Sequence, residues 1–88
     1  MEYIKEKNTI YVQHEQREIV AKVEFEETSK GKFNIFNTFV DHSLRGKGVA
    51  SELVKEAVDE IHKRGGEVFA TCSYAKKWLE NNKIVRGE

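Results

Sequence analysis

The segment R-G-K-G, residues 45–48, carries residue types that bind phosphate groups in many proteins. Gly46 and Gly48 allow the main chain to approach an anion closely and to adopt positive φ, so that successive N–H groups form an anion-binding concavity. Arg45 and Lys47 add positive charge. An apolar helical pattern begins directly afterwards, and the N-terminus of a helix offers unpaired N–H groups and partial positive charge. By itself the segment is compatible with an ordinary turn and with an anion site.

Two common nucleotide-binding motifs do not fit this segment. A Walker loop requires G-x-x-x-x-G-K-[ST], whereas the two glycines here are separated by one residue. A dinucleotide fingerprint, G-x-G-x-x-G, requires glycine at the position of Ser51. ATP and NAD are therefore poor candidates for the anion.

Cys72, the single cysteine of the chain, is the second candidate for chemistry. It stands just before a predicted helix and close to Lys76 and Lys77, an environment that lowers the pKa of a thiol and raises its reactivity. Two interpretations remain open: a nucleophile that accepts an acyl group, and a small residue that only lines a pocket.

The elements that position these residues follow from hydrophobic periodicity. Short β-prone runs predict strands at Ile10–Val12, Ile19–Glu26 and Phe33–Val40. The third run is apolar on both faces, which is typical of a central strand covered on two sides. Simple alternation places Phe33, Ile35, Asn37 and Phe39 on one face, and Phe36 and Val40 on the other.

A helix is predicted directly after the glycines. Apolar residues recur there at i, i+3 and i+4 spacing: Val49, Ala50, Leu53, Val54, Ala57, Val58 and Ile61. Gly65-Gly66 ends the pattern. A short strand, Glu67–Thr71, and a second helix, from Tyr74 to about Asn81 with Ser73 as its N-cap, complete the order β-β-β-α-β-α.

This order brings the two candidate features together. The strand Phe33–Val40, the first helix and the strand Glu67–Thr71 form a βαβ unit, so the two strands are expected to run parallel. Parallel strands end at the same edge of a sheet, where α/β sheets generally bind ligands. The R-G-K-G loop follows one strand and Cys72 follows the other, so we expect them to be neighbours in space.

The composition narrows the classes of partner. Lys and Arg number 15, and so do Asp and Glu, so the basic excess of a general nucleic-acid binder is missing. The sequence contains neither a membrane-spanning apolar run nor a secretory signal, and one cysteine cannot form a metal cluster by itself. We therefore expect a soluble cytoplasmic protein of one domain, residues 1–88, without nucleic-acid, membrane or metal partners.

The spacing R-x-x-G-x-A, residues 45–50, resembles the acetyl-CoA pyrophosphate loop [QR]-x-x-G-x-[GA] of the GNAT superfamily of N-acetyltransferases. The segment T-C-S-Y-A-K-K-W-L, residues 71–79, is similar to the C-[PS]-[YF]-A segment of the minimal, single-domain YjdJ-type members. The resemblance extends roughly from Ile10 to Leu79. It implies an α+β, GNAT-like (acyl-CoA N-acyltransferase) fold, with antiparallel strands followed by one parallel β-α-β unit and a C-terminal helix.

The resemblance also implies a cofactor and its site. Acetyl-CoA would place its pyrophosphate on main-chain amides of the loop and its pantetheine arm along the strand Phe33–Val40, where an amide would polarise the acetyl carbonyl. The thioester would lie in a gap between the two parallel strands, close to Cys72. The cofactor-binding residues expected on this basis are Val40, Arg45, Gly46, Lys47, Gly48, Val49 and Ala50.

The catalytic residues expected from the resemblance are Cys72, Tyr74 and Asn37. Tyr74 would donate its proton to the departing thiolate. Asn37 stands where relatives often carry histidine, and asparagine cannot act as a base at neutral pH. The acceptor-binding helices found near the N-terminus of most family members have no counterpart in the predicted elements. The expected function is acetyl transfer to an unidentified amine, of a small molecule or a protein; the alternatives are a non-catalytic acyl-CoA-binding or sensing domain and a small protein-interaction domain.

Overall fold

The computed structural model describes residues 2–15 and 18–82. Their elements in chain order are β1 Ile4–Glu6, β2 Thr9–Gln13, β3 Ile19–Ser29, β4 Lys32–Val40, α1 Val49–Lys63, β5 Glu67–Ala70 and α2 Ser73–Asn81. A short 3-10 turn, His42–Leu44, connects β4 to the glycine loop. The predicted order is confirmed apart from β1, which is only three residues long and gives no periodic signal.

The strands form one sheet in the order β1-β2-β3-β4-β5. Neighbouring strands are antiparallel except β4 and β5, which run parallel and are joined through α1, so the predicted βαβ unit is confirmed. Pairing between β4 and β5 begins at Lys32↔Glu67 and ends at Ile35↔Ala70. The last five residues of β4 therefore have no partner on β5, and four of them, residues 37–40, pair with β3 alone.

The core lies between α1, the inner face of the sheet and one side of α2. Its buried residues are Ile10, Val12, Ala21, Val23, Phe25, Phe33, Ile35 and Val68 from the strands, Val49, Leu53, Val54, Ala57, Val58 and Ile61 from α1, and Ala75 and Leu79 from α2. The helix α1 ends as predicted: Gly65 has a φ of 77°, and the N–H of Gly66 donates to the carbonyl of Ile61 at 2.9 Å. This pattern is the Schellman motif, which requires positive φ at the first residue beyond the helix.

A β-bulge changes the facing of β4 halfway along the strand. Phe25 pairs with Ile35 and Glu24 pairs with Asn37, so Phe36 has no partner on β3. One extra residue inverts the alternation of side chains. Beyond the bulge Thr38 lies opposite the buried Val23, on the core side.

The sequence-based assignment of faces in β4 is therefore wrong beyond Ile35. Asn37 and Phe39 lie on the face opposite to Phe33 and Ile35. That outer face is not covered by other described residues, because the side chains of Phe36 and Phe39 are 43% and 42% exposed. The apolar run that suggested burial on two sides reflects, in part, a strand that changes its facing at the bulge.

Within the described residues no helix has the length and apolar character needed to cross a membrane.

Candidate functional site

A cleft of about 390 Å³ lies where β4 ends and α1 begins. Its walls come from β4, the 3-10 turn, the glycine loop, the first turn of α1 and the start of α2. The lining residues are Thr38, Val40, Leu44, Arg45, Gly46, Gly48, Val49, Ala50, Ser51 and Tyr74. The glycine loop and Tyr74 of α2 thus line one cavity.

The glycine loop adopts the conformation predicted for an anion site. Gly46 and Gly48 have φ values of 80° and 74°, and Gly48 is the N-cap of α1. A Cβ at either position would meet no atom within 4 Å, so the backbone conformation, and not a lack of space, requires glycine there.

The N–H groups of residues 46–51 are available to a ligand. The first hydrogen bond of α1 runs from the N–H of Glu52 to the carbonyl of Gly48, at 3.1 Å. None of the six preceding N–H groups donates to a protein acceptor in the part of the chain that the structure describes. Together with the partial positive charge of the helix N-terminus, they form a donor set suited to a pyrophosphate.

The turn before the loop is held by Asp41. Its Oδ2 accepts hydrogen bonds from the hydroxyl of Ser43 at 2.6 Å and from the Ser43 N–H at 3.0 Å. The bond from the Ser43 hydroxyl lowers the pKa of Asp41 most, and the bond from the Ser43 N–H lowers it further, so the pKa lies below its ordinary value. The N–H of Asp41 also donates to the carbonyl of Val20 at 2.7 Å, so the start of the connection is tied to the sheet.

The edge of β4 opens toward the cleft beyond Ile35. The carbonyl of Ile35 accepts from the N–H groups of both Thr71 and Cys72, at 3.1 and 3.2 Å, and β5 turns away into α2 at this point. From there to Val40, β4 has no strand partner on this side among residues 2–15 and 18–82. Its main chain is therefore free to hydrogen-bond an extended ligand on this side.

Cys72 is placed beside this opening. It is the N-cap of α2, so the prediction that Ser73 caps the helix is wrong; Ser73 is the first helical residue. The Sγ atom donates to the hydroxyl oxygen of Thr38 at 3.4 Å. Cys72 does not itself line the cleft, but Thr38 does.

The thiol of Cys72 is more acidic than an ordinary cysteine. Burial raises its pKa, but the hydroxyl of Thr38 and the main-chain N–H groups at the start of α2 lower it by more. The net pKa of Cys72 is therefore lowered. The thiolate of Cys72 is therefore populated at a lower pH than that of an ordinary cysteine, and the thiolate is the reactive form.

Tyr74 faces the glycine loop from α2. Its side chain is 42% exposed and lines the cleft. The position of α2 is fixed nearby, where the indole Nε1 of Trp78 donates to the hydroxyl of Ser51 at 2.8 Å. Because Ser51 is in the first turn of α1, this bond joins α2, which carries Tyr74, to the start of α1.

The structure does not bring Asn37 to the cleft. Its amide nitrogen donates to Oε1 of Glu24 at 2.8 Å on the outer face of the sheet, and the same carboxylate lies 3.5 Å from the ammonium of Lys22. The side chain of Lys47 does not line the cleft either, although its N–H belongs to the loop.

Sequence reasoning missed three residues that line the cleft: Thr38, Leu44 and Ser51. Ser51 had a usable signal, because it is the third residue of α1 and its N–H must lack an intrahelical partner. Thr38 had none, since its facing depends on the bulge at Phe36.

The comparisons with known proteins decide the family. The sequence profile of the GCN5-related N-acetyl-transferase family matches residues 2–86 of the 88. The chain belongs to this family. Among solved structures, a GCN5-like protein of Staphylococcus aureus, determined by NMR, is similar to this GCN5-related protein with a TM-score of 0.77 and 27% identity. That match covers 93% of this chain and 80% of the other.

Two further structures share the fold of the GCN5-related chain and were determined with CoA bound. The GNAT family N-acetyltransferase YhbS of Escherichia coli has a TM-score of 0.62 at 20% identity, over 70% of this chain and 38% of that one. Rv2747 of Mycobacterium tuberculosis has a TM-score of 0.70 at 13% identity, over 92% of this chain and 50% of that one. This chain therefore spans half or less of these two relatives. No curated protein matches the sequence.

Proposed function

We propose that this GCN5-related protein binds acetyl-CoA in the cleft and transfers the acetyl group to a primary amine. The row of unpaired N–H groups at residues 46–51 is the observation that carries the proposal. Six amide donors without a protein acceptor, two glycines at positive φ and a helix N-terminus match the donor set of a pyrophosphate site. The CoA complexes of two proteins with this fold support the choice of cofactor.

The residues present fit the cofactor. The amides of residues 46–51 would bind the pyrophosphate, and Arg45, which lines the cleft, would add positive charge. The exposed side chain of Lys47 would contribute at longer range. The free main-chain edge of β4 between Phe36 and Val40 would hydrogen-bond the pantetheine arm, which places the thioester beside Thr38.

Acetyl-CoA supplies an activated thioester, and the chain supplies binding, orientation and a proton. A main-chain N–H of β4 would polarise the acetyl carbonyl, as in other oxyanion sites. The hydroxyl of Tyr74 would donate its proton to the CoA sulfur as the C–S bond breaks and the C–N bond to the amine forms, and the proton that the amine loses would pass to water. The lowered pKa of Cys72 suits either of two roles, an acceptor of the acetyl group or a polar wall of the site. Asn37 has no place in this arrangement, because its amide is engaged on the outer face.

A non-catalytic acyl-CoA-binding protein is the second candidate. It is favoured by two observations: only strands precede β4 in the described residues, and no lining residue of the cleft is a carboxylate or histidine that could deprotonate an amine. A cofactor-free interaction domain is the third, and it leaves the row of free amides unexplained. The acceptor, the YjdJ-type subgroup and the cytoplasmic location stay predictions.

Calorimetric titration with acetyl-CoA, followed by an assay of its consumption against a panel of amines, tests the proposal. We expect saturable binding at one site and amine-dependent release of CoA. Tyr74→Phe should lower the turnover number without weakening binding, since only the proton donor is removed. Absence of binding at millimolar acetyl-CoA would contradict both the enzyme and the binder. Binding without turnover by any amine would favour the binder.

Mass spectrometry of the intact chain separates the two roles of Cys72. If its thiol accepts the acetyl group, one acetyl group per chain accumulates in the absence of amine and is missing in Cys72→Ala. If the thiol only lines the site, wild type and Cys72→Ala carry no acetyl group and consume acetyl-CoA at comparable rates.

A further inference from the structure

The outer face of the sheet, which is turned away from α1, presents four aromatic side chains. They are Tyr11 of β2, Phe36 and Phe39 of β4, and Phe69 of β5. Phe36 and Phe39 are 43% and 42% exposed, and none of the four belongs to the buried core. Several aromatic side chains on one open face are typical of a protein–protein contact surface.

Two opposite charges lie among these aromatic side chains. Lys22 and Glu24 point to the outer face from β3, the middle strand of the sheet, with 3.5 Å between Nζ and Oε1. Lys22 pairs with Phe39 of β4, and Glu24 pairs with Asn37. A partner that covers the centre of this face must therefore match a positive and a negative charge that are one strand repeat apart.

This charge pattern is self-complementary. In a dimer with two-fold symmetry the same surface contacts itself, so that residue i meets j and j meets i. A two-fold axis that crosses β3 between Lys22 and Glu24 places the ammonium of each Lys22 opposite the carboxylate of Glu24 in the second copy. A partner surface of one sign of charge would match only one of the two groups, so the pattern favours a second copy of this chain.

The same axis also matches the aromatic side chains of β4. It places Phe39 opposite Asn37 of the second copy and next to Phe36, the residue that precedes Asn37. Tyr11, which is in register with Lys22, lies opposite Thr9 of the second copy. Two sheets that pack face to face with nearly aligned strands, as in a β-sandwich, accommodate this arrangement. Rings therefore meet rings or uncharged side chains, and charges meet opposite charges.

The outer face is large enough for a weak dimer. β3 and β4 contain 11 and 9 residues, and the other strands contain three to five. At a strand spacing of about 4.8 Å and a rise of about 3.4 Å per residue, the face covers about 500 Å² per copy, or roughly 1,000 Å² in the dimer, which is the lower limit for a specific interface. We therefore expect a dissociation constant of about 10–100 μM, so that monomers predominate at low micromolar concentration.

We propose that this protein forms a two-fold symmetric dimer through the outer face of its sheet, with Lys22 of each copy paired with Glu24 of the other. No residue that contributes a side chain to this contact lines the cleft. The proposal goes beyond the binding of acetyl-CoA and does not depend on it.

Sedimentation velocity at chain concentrations from about 5 to about 500 μM, which bracket the expected constant, tests the proposal. Wild type should change from monomer to dimer over this range. Lys22→Glu and Glu24→Lys should each weaken the dimer by about tenfold or more, because each places like charges opposite one another. An equimolar mixture of the two variants should associate as wild type does, because every carboxylate of the pattern then faces an ammonium.

Lys55→Glu and Asp59→Lys are the matched controls. They make the same changes of net charge and break an ion pair of similar length, 3.6 Å, on the exposed side of α1. Both should dimerise as wild type does. Phe39→Thr, which changes no charge, should weaken the dimer by about tenfold or more, since aromatic side chains at the centre of an interface carry much of its binding energy. Thermal unfolding at low chain concentration shows that each variant is folded.

Three outcomes would overturn the proposal. The first is a wild type that stays monomeric at every concentration. The second is a dimer that withstands both Lys22→Glu and Phe39→Thr, because the contact would then lie on another surface. The third is a mixture of Lys22→Glu and Glu24→Lys that associates no better than either variant alone. Lys22→Glu should bind acetyl-CoA as tightly as wild type, and failure of both to bind it would contradict the proposed function while leaving the dimer intact.

Discussion

The Sγ atom of Cys72 lies 3.4 Å from the hydroxyl oxygen of Thr38, across the point where β4 and β5 separate. The two residues are 34 positions apart in the sequence and meet only because the parallel strands end at the same edge of the sheet. Thr38 lines the cleft, so the contact connects the thiol to the proposed acetyl site.

Thr38→Val should raise the pKa of Cys72. The substitution keeps the shape of the side chain but removes the hydroxyl that stabilises the thiolate. The pH profile of alkylation by iodoacetamide should therefore move to higher pH than in wild type, with slower labelling at a fixed pH below the transition.

Thr71→Val is the control for this measurement. Thr71 is adjacent to Cys72 in sequence, but its hydroxyl accepts from the amide of Asn34 at 3.0 Å and does not face the thiol. Its alkylation profile should match that of wild type. Equal shifts in the two variants would contradict a specific role of the Thr38 hydroxyl.

Gly48→Ala should reduce both stability and acetyl-CoA affinity. Gly48 has a φ of 74°, and alanine in this conformation costs about 1 kcal/mol of the free energy of unfolding. Relief of this strain would displace the loop amides, so the affinity for acetyl-CoA should fall by tenfold or more. Thermal unfolding and calorimetric titration measure the two effects separately.

Gly31→Ala provides the comparison. Gly31 has nearly the same φ, 76°, and equally open space around its Cβ position, but it lies in the turn between β3 and β4, away from the cleft. It should lose a similar amount of stability and retain its affinity for acetyl-CoA. An affinity loss in both variants would mean that general destabilisation, and not loop geometry, controls binding.

The elements on which the site depends could be predicted from the sequence, but the facing of one strand, β4, could not. The helix α1, its Schellman end and the positive φ at Gly48 follow from local chemistry, and the parallel pairing follows from the βαβ order. The facing of β4 beyond Ile35 did not follow, because a bulge depends on how two strands pair and not on the bulged strand itself. The same error assigned Asn37 to the face of Phe33 and Ile35, and it left Thr38 unrecognised as a residue that lines the cleft.

Ile35 and Phe39 should differ sharply in their contribution to stability. Simple alternation gives them the same face, but the bulge leaves Ile35 fully buried and Phe39 42% exposed. Ile35→Ala should lower the free energy of unfolding by about 2–5 kcal/mol, as other large-to-small core substitutions do.

Phe39→Thr, which keeps a β-branched residue in the strand, should lower the free energy of unfolding by less than about 1 kcal/mol. Urea denaturation of both variants gives the two values. Comparably large losses of the free energy of unfolding in the two variants would indicate that both faces of β4 are buried, as the sequence suggested, and would argue against the bulge.

Arg64 should stabilise the fold in a pH-dependent manner. It joins the end of α1 to the β1–β2 turn: its guanidinium donates to Oε2 of Glu60 at 2.9 Å, to Oδ1 of Asn8 at 2.8 Å and to the carbonyl of Lys7. The guanidinium carbon also lies 5.4 Å from the ring centre of Phe25. Arg64→Ala should lower the free energy of unfolding by about 1–2 kcal/mol at neutral pH.

The pH dependence of this loss follows from Glu60. The hydrogen bond from Arg64 lowers the pKa of Glu60 in the folded state. Because the pKa of Glu60 is lower in the folded state, the ionised carboxylate adds stability at pH values above the pKa of Glu60 in the unfolded chain. This contribution disappears as the pH falls through the pKa of Glu60 in the folded state. The difference between wild type and Arg64→Ala should therefore be constant near neutral pH and shrink at pH values below the ordinary pKa of glutamate.

Lys55→Ala serves as the reference, because Lys55 forms an i,i+4 ion pair with Asp59 at 3.6 Å in which both side chains are more than half exposed. Such a pair contributes at most about 0.5 kcal/mol, so Lys55→Ala should change stability little at any pH. A pH-independent loss in Arg64→Ala would assign its effect to Asn8, Lys7 and the aromatic contact, and would exclude the ion pair with Glu60 as a contributor.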